Sequence, residues 1–527
     1  PLPANMRLLA ELCAVLGDGL TREDVTGAQA RLEPGLELSP LASVDAGVGL
    51  ARLARAGLLV PGPEGRHDFR HPLLREALEA GIPPRRRRLL HLAALGALPE
   101  VPDAARAWRR ARHAAGAGER DVAFDAWLRL AEGARLAHRA VEAELGYSAA
   151  LEQLAPDDAR RERALAGRGM ARYRSHRFRE AREDLHSAAG LALSRGASDT
   201  AAELLLEEAT VLDWVEDWDG SRVLTERALE LGQASADPRL GARLELGRGR
   251  LAVRGGQWDE AALRLRRSAE DAARVGEPEV RAISLVLLGA VLTVTDRLDD
   301  AEATFEAALA HCAATGDRLH LAIAYNNRGL LWQKRQAVAR AIEDLRHNRA
   351  IARELGHPQI ERWSTFNLGE FLHFLGDWDE AWTLAERAHE LGQRFFREHP
   401  VAQDALLLAR IAASRGDFTA AARQLAWIDE RCGASLAPPS SVQHRMVRQV
   451  LAEASGLFVP EAWDALVADA RRDCSPDELL ELLVQATSQA RKAGAGEAAG
   501  RYLDEARSLA ERSPLWWPRL RAFDPAR

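Results

Sequence analysis

A 40-residue period runs through the middle of the chain and constrains it more than any other feature. Phe178, Trp218, Trp258, Leu298, Val338, Trp378 and Phe418 are evenly spaced at 40 residues. Three positions after them stand Ala181, Ser221, Ala261, Ala301, Ala341, Ala381 and Ala421; nine before them stand Gly169, Ala209, Gly249, Gly289, Gly329, Gly369 and Ala409. Small, bulky and small residues in fixed phase over seven cycles imply stacked copies of one supersecondary unit, a solenoid. Such an array grows one continuous core by adding units. Its function is expected on its surface and not in a catalytic cleft.

Each cycle reads as two helices. In the fifth, His320 to Gln333 is periodic, Arg335 to Val338 turns, and Ala339 to Leu355 continues as a second helix. Gly356 and Pro358 stop it, and Gly196, Gly276 and Gly316 give the same signal in other cycles. Acids gather where second helices begin, as in Asp259-Glu260 and Asp379-Glu380, where the helix dipole favours them. Glycine inside a helix costs about 1 kcal/mol relative to alanine, so its return at 249, 289, 329 and 369 implies a close helix crossing. The bulky residue at Trp218, Trp258 and Trp378 is expected to be core between neighbouring units, its loss costing roughly 3–5 kcal/mol.

The order glycine, bulky residue nine on, alanine three further, apolar four further and alanine three beyond resembles the tetratricopeptide repeat. Ala181, Leu185 and Ala188 show it, as do Ala301, Phe305 and Ala308. The usual period of about 34 residues is stretched here, as in the subclass found in bacterial signalling regulators with sensory repeats. Val338 is not aromatic and Asn348 takes an apolar position. A weaker unit precedes the array at Gly146, Tyr147 and Ala150, and another follows near Phe458 to Ala462. The resemblance implies an all-α, right-handed superhelix whose concave wall is lined by the first helix of each unit. Its inward positions fall on Arg163, Tyr173, Arg174, Asp213, Trp214, Arg243, Arg250 and Arg254. Further along they fall on Asn326, Gln333, Lys334, Trp363, Glu370, His373, Phe374 and Arg410. These form the candidate groove for a ligand or partner, arginine and aromatic residues being those that dominate interface energetics.

Composition excludes several functions. Net charge is −7, so no global field draws the chain to nucleic acid or anionic lipid. Of 71 basic residues only Lys334 and Lys492 are lysine, and neither follows the glycines of a GxxxxGK phosphate loop, so this chain is not expected to hydrolyse ATP. Cys13, Cys312, Cys432 and Cys474 are far apart and form no CxxC pair, which fits a reducing cytoplasm. No metal-spaced histidines or nucleophile triad stand out, His373, His389 and His399 being scattered; no cofactor or metal is expected, and the chain is read as non-enzymatic. The residues from Pro1 on do not read as a signal peptide, so none is expected, and no apolar run is long enough to span a membrane.

Residues 1 to 90 lack the repeat. Helices are expected from Arg7 to Leu16, after Thr21 and from Asp45 to Ala56, then a hairpin over Leu58 to Phe69 and a helix from Leu73. That outline is winged-helix-like. The segment Phe69-Arg70-His71-Pro72-Leu73-Leu74-Arg75-Glu76-Ala77 resembles the motif after the wing in large ATP-binding, LuxR-like regulators of the STAND class. There an ATPase module precedes the winged helix, a helical linker and a tetratricopeptide sensor. The resemblance marks His71 as a candidate remnant of a nucleotide contact, against a plain packing or capping role. It also implies that Pro1 begins a piece of a longer protein, an ATPase or signalling module being absent from it. Arg85 to Arg88 with Arg106, Arg109, Arg110 and Arg112, opposed by Glu100 and Asp103, form a basic stretch. The balance of charge over residues 1 to 150 favours a domain interface there, or else a plain solvated face, over DNA binding.

Four regions follow: a winged-helix-like domain at 1–90, a helical linker with a first irregular repeat at 91–160, repeats at 161–440, and C-terminal helical repeats and cap at 441–527. Ser475-Pro476-Asp477-Glu478 starts one of the last helices, and Trp516 and Trp517 are expected to cover the open end of the array. The functional expectation is a cytoplasmic, protein- or effector-binding sensor module of a bacterial signalling or transcriptional regulator. Its partner would be a protein, a peptide or a small effector. The alternative is a scaffold or adaptor in a complex such as a defence or secretion system.

Overall fold

The computed structural model describes residues 2–32, 37–98, 104–395, 400–432, 436–455 and 458–523. Of the positions singled out above, Pro1, Glu100, Asp103 and His399 lie outside them, as do the side chains of Arg106 and Cys432. The chain is all-α apart from one short hairpin and divides into two bodies, residues 1–235 and 236–527.

The first body opens with helices Ala4–Leu16, Arg22–Gln29, Ser39–Ala42 and Ala46–Arg55. Thr21 and Asp24 close a capping box on the second, and Asp45 caps the fourth. Strands Leu59–Pro61 and His67–Phe69 pair antiparallel, and Leu20 bridges to His67 from the other side. Helices Pro72–Ala80, Pro84–Ala97, Ala104–Ala117, Arg120–Leu136 and Ala140–Leu151 lead to the repeats.

Four arginines of the basic stretch, Arg86, Arg88, Arg109 and Arg112, are spent on this packing. Arg86 pairs with Glu11 and Glu37 at 3.0 Å. Arg88 donates to the Ala117 carbonyl, and Arg109 and Arg112 donate to the Asp18 and Val15 carbonyls where the first helix ends. There their charge suits the negative end of the helix dipole. Arg112 also grips Glu79 at 2.6 Å. His71 is exposed at the N-cap of Pro72–Ala80 and makes no capping hydrogen bond.

Seven helix pairs follow, two in the first body and five in the second. Repeat 1 is Arg161–Arg174 with Phe178–Ser194, and repeat 2 is Ser198–Trp214 with Trp218–Leu231. In the second body, repeat 3 is Pro238–Arg254 with Trp258–Val275, repeat 4 Pro278–Val294 with Leu298–Thr315, and repeat 5 Arg318–Lys334 with Val338–Leu355. Repeat 6 is Pro358–Leu375 with Trp378–Phe395, and repeat 7 is Pro400–Arg415 with Phe418–Cys432. Helices Pro438–Ala452, Pro460–Asp473, Pro476–Lys492 and Gly496–Ala510 follow, then a strap of two short turns, Pro514–Trp516 and Trp517–Arg521. This is a tetratricopeptide-like helical solenoid.

The period is enforced by its turns. His176, Glu216, Gly256, Asp296, Gln336, Gly376 and Gly416 all have φ between 58° and 89°. The next residue's N–H reaches the carbonyl five back, as in Arg177 to Arg172 and Ala337 to Trp332. The recurring glycine is a contact point, as its helix-interior cost required. A Cβ at Gly249, Gly289 or Gly329 would come within 2.7 Å of Leu265, 2.6 Å of Phe305 or 3.0 Å of Leu345. The expectation for the bulky residue is corrected. Trp218 and Trp258 are 51% and 38% exposed, and Trp378 is half-buried. They open the second helix, over the turn, where only one side of the ring is covered. The crossing is filled instead by the side chain seven positions on: Leu185, Leu265, Phe305, Leu345 and Leu425, all buried.

Candidate partner-binding wall

In the second body each first helix packs against the first helix of the next repeat. Together they form a wall on which the inward positions lie in register. Arg250, Glu370 and Arg410 share one register position; Lys334, Phe374 and Ser414 share another; Gln333 and His373 share a third.

In repeats 3 to 5 the wall is partly open and of mixed character: arginines and a lysine stand in repeats 3 and 5, while Ala290, Val294 and Leu330 take the same register positions elsewhere, the last two exposed. Arg243, Arg250 and Arg254 are half-buried, Arg243 being paired with Glu277 at 2.8 Å. Lys334 is exposed and bonds to Asp296 and the Thr293 carbonyl. Asn326 is the centre of an amide cluster. Its Oδ1 accepts from Asn348 at 3.1 Å and from Asn367 at 3.0 Å, while its own amide donates to Asn327. The polar residue at Asn348 is thereby given a partner: its buried amide ties the second helix of repeat 5 to the first, while Asn367 brings the first helix of repeat 6 to the same Asn326 oxygen. Arg328 forks onto Asp344 at 2.7 and 2.9 Å, and the Trp332 indole donates to the same carboxylate.

Over repeats 6 and 7 the wall is covered by the chain itself. Helix Pro476–Lys492 lies on it, with Glu481 fully buried between His373 and Arg410. His373 Nε2 is 2.8 Å from Glu481 Oε1, and Arg410 donates to Glu481 from Nε and Nη2 and to Glu370 at 2.7 Å. Burial alone raises the Glu481 carboxyl, but Arg410 and His373 outweigh it and hold the group well below the carboxylate range. Burial tends to discharge Arg410, yet Glu481 and Glu370 keep it firmly cationic. The imidazole of His373 is driven the other way, since burial outweighs Glu481 and keeps it neutral. Gln485 reaches Ser414, and Asp477 accepts from Gln333.

Glu370, His373, Phe374 and Arg410 were expected to line an open groove, and that expectation is corrected. His373, Phe374 and Arg410 are at most 2% exposed, and Glu370 is held by Arg410. Their partners come from a helix more than 70 residues away in sequence, so no local pattern marks them as covered. The expectation for Trp516 is likewise corrected. Trp516 is buried on the wall against Phe374, ring centroids 5.4 Å apart, and does not cap an open end. One further pair was missed: Arg362 forks onto Asp404 at 2.7 and 2.9 Å, both buried. Burial raises the Asp404 carboxyl to about 6 even with Arg362 pulling it down. The signal for Glu481 was legible as a lone acid inside Leu479-Leu480-Glu481-Leu482-Leu483. Trp363 is half-buried on the first helix of repeat 6.

The first body carries the remaining inward positions. Tyr173 is buried, its hydroxyl accepting from the Trp214 indole at 2.8 Å, and Phe178 stacks on Trp214. These aromatics knit repeat 1 to repeat 2, which corrects Tyr173 as a groove-facing contact. Arg163 is exposed and paired with Glu132, Arg174 meets His138, and Asp213 is half-buried.

Among the described residues no group of three or more histidine, cysteine or acidic side chains is placed to hold a metal. No helix among them is long and apolar enough to cross a membrane. No known sequence-family profile matches the chain, and no curated relative does. Solved structures do. A Signal Transduction ATPase with Numerous Domains (STAND) protein with a tetratricopeptide repeat sensor, from Pyrococcus horikoshii, is 14% identical over 82% of this chain with a TM-score of 0.49; the chain spans 64% of that protein's length. A Rap protein complexed with competence and sporulation factor is 13% identical, with 67% of this chain and 99% of that one covered and a TM-score of 0.50. The apo quorum sensor NprR from B. thuringiensis is 11% identical over 66% of this chain and 97% of its own, with a TM-score of 0.45. The likeness to the Rap protein shows a shared fold.

Proposed function

We propose that this chain is a non-catalytic sensor or interaction module of a bacterial cytoplasmic regulator, binding a partner segment on the wall of first helices. The observation that carries the reading is the covering of repeats 6 and 7 by the chain's own helix. The wall takes up a helical segment there through Arg410, His373, Gln333 and Ser414. Those register positions carry Arg250 and Arg254 in repeat 3 and Lys334 in repeat 5, with Ala290, Val294 and Leu330 between them. In this reading residues 1–90 are a winged-helix-like domain, the arrangement 91–160, 161–440 and 441–527 follows it, and an ATPase or signalling module belongs to the complete protein. His71 has no structural task that accounts for it, which is compatible with a contact to such a module. The arginines at 86, 88, 109 and 112 already serve the packing of the first body, so direct DNA binding is not part of the proposal.

The test is affinity capture from the native host with the chain and with Arg250→Ala and Trp363→Ala variants. Loss of the same captured protein or peptide from both folded variants supports wall binding. Retention of every partner by both would overturn it.

A further inference from the structure

The strap at Ser513–Arg521 is docked on the wall in the manner of a bound peptide. Its Ser513 N–H donates to the Ala510 carbonyl of the preceding helix, and beyond that its side chains hold it, Leu515, Trp516 and Leu520 being buried. Trp516 is completely buried, its indole donating to Asp477 Oδ1 at 2.9 Å and its ring packed on Phe374. Leu515 is buried, and its N–H donates to the Gln336 side chain at 3.3 Å. Arg519 lies 4.9 Å over Trp516 and 5.7 Å over Trp378, and its guanidinium reaches the His373 carbonyl at 3.5 Å. One aromatic anchor in a pocket with an arginine beside it is the composition of an interface hot spot. The receptor side is aromatic and polar: Asp477 takes the indole, Phe374 and Trp378 are walls, Gln333 and Gln336 are amides, and Glu481 beneath is already paired with Arg410, which lies 5.5 Å over Phe374.

We propose that this pocket is an occluded docking site for a partner segment carrying an aromatic residue and an arginine three positions later, and that the strap is its intramolecular stand-in. The occupant is defined by the strap's own chemistry: a large aromatic with an N–H for Asp477, and a flat cation able to stack between Trp378 and that aromatic ring. A partner binds when the strap lifts, so its apparent affinity is reduced by the fraction of molecules with the pocket open. This rests on the reading of the wall as a partner-binding surface and names one place on it.

The test uses a fluorescent peptide, SPLWWPRLRA, equivalent to residues 513–522, in anisotropy titrations against the full chain and its Trp516→Ala/Arg519→Ala variant. The variant is expected to bind the peptide at least about tenfold more tightly than the wild type does. A peptide with alanine at the same two positions is expected not to bind. A folded variant with no affinity for the peptide, or a wild type that binds it equally, overturns the proposal. Trypsin cleavage after Arg519 in the wild-type chain decides the matter independently if the variant does not fold. Cleavage at a rate insensitive to low urea means the strap opens by itself and supports the stand-in role; cleavage only on global unfolding makes the strap ordinary core. Either failure leaves the Arg250 and Trp363 capture result standing, so the two readings fail separately.

Discussion

Arg250 and Arg410 occupy the same register position of first helices four repeats apart, and they live in opposite environments. Arg250 is half-buried on the partly open part of the wall, whereas Arg410 is 2% exposed and clamped by two carboxylates. Lys334 and Phe374 repeat the contrast. A solenoid position therefore fixes where a side chain points but not whether water reaches it; that depends on what lies over the repeat. A buried ion network is a weak source of net stability, but it is costly to break from one side.

The largest expected effect follows from that asymmetry. Arg410→Ala leaves the Glu481 carboxylate buried without its main partner and should destabilise the second body by about 3–5 kcal/mol. Arg250→Ala should cost less than about 1 kcal/mol. Two bodies rule out a single unfolding constant, so the pair is best compared by hydrogen exchange in residues 400–415 and 476–492. Equal costs would mean that the covering helix adds nothing at repeat 7.

Acid separates the two bodies next. His113 is buried, its Nδ1 is 3.1 Å from that of His91, and burial, then the neighbouring His91 and Arg112, lower it from 6.5 to about 3. Its folded value lies below its unfolded one, so its contribution is complete above pH 6.5. That contribution falls by about 1.4 kcal/mol per unit as pH drops toward 3. Asp404, raised from 3.8 to about 6, has the opposite sign: it favours folding below 3.8 and loses that contribution as pH rises to 6. Hydrogen exchange between pH 7 and 5 should show residues 104–117 losing protection, and His113→Gln should flatten that response. An unchanged response in His113→Gln would contradict the assignment.

Helix crossings give smaller effects. Gly289→Ala places a methyl 2.6 Å from the Phe305 ring and should cost about 1–3 kcal/mol, while Gly369→Ala meets Leu384 at 3.3 Å and should lie within about 1 kcal/mol of neutral. Thermal unfolding of the two variants measures the difference. The smallest effect belongs to the turns. Glu216 and Gly256 share the left-handed position, so Glu216→Gly should stabilise by several tenths to about 1 kcal/mol, and Gly256→Ala should lose a similar amount.

Local chemistry made most of the array legible in the sequence. Gly356 and its equivalents end second helices at positive φ, and Gly249, Gly289 and Gly329 sit at crossings because nothing larger fits. The error over Trp218 and Trp258 came from equating size with burial, when the first residue of a helix is roofed on one side only. The candidate wall was half legible. Its positions followed from the repeat, but the covering of His373, Phe374 and Arg410 depends on contacts from residues 477 to 519. A 40-residue pattern holds no record of them. Glu481 in its leucine run was the one local hint that a cation waited elsewhere.

The most direct measurement is amide exchange of helix Pro476–Lys492 in the wild-type chain and in Arg410→Ala. Docking on the wall predicts that this helix and Pro400–Arg415 are protected alike in the wild type and lose protection together in the variant, while residues 238–254 keep theirs. A helix 476–492 that exchanges freely while 400–415 stays protected would contradict it.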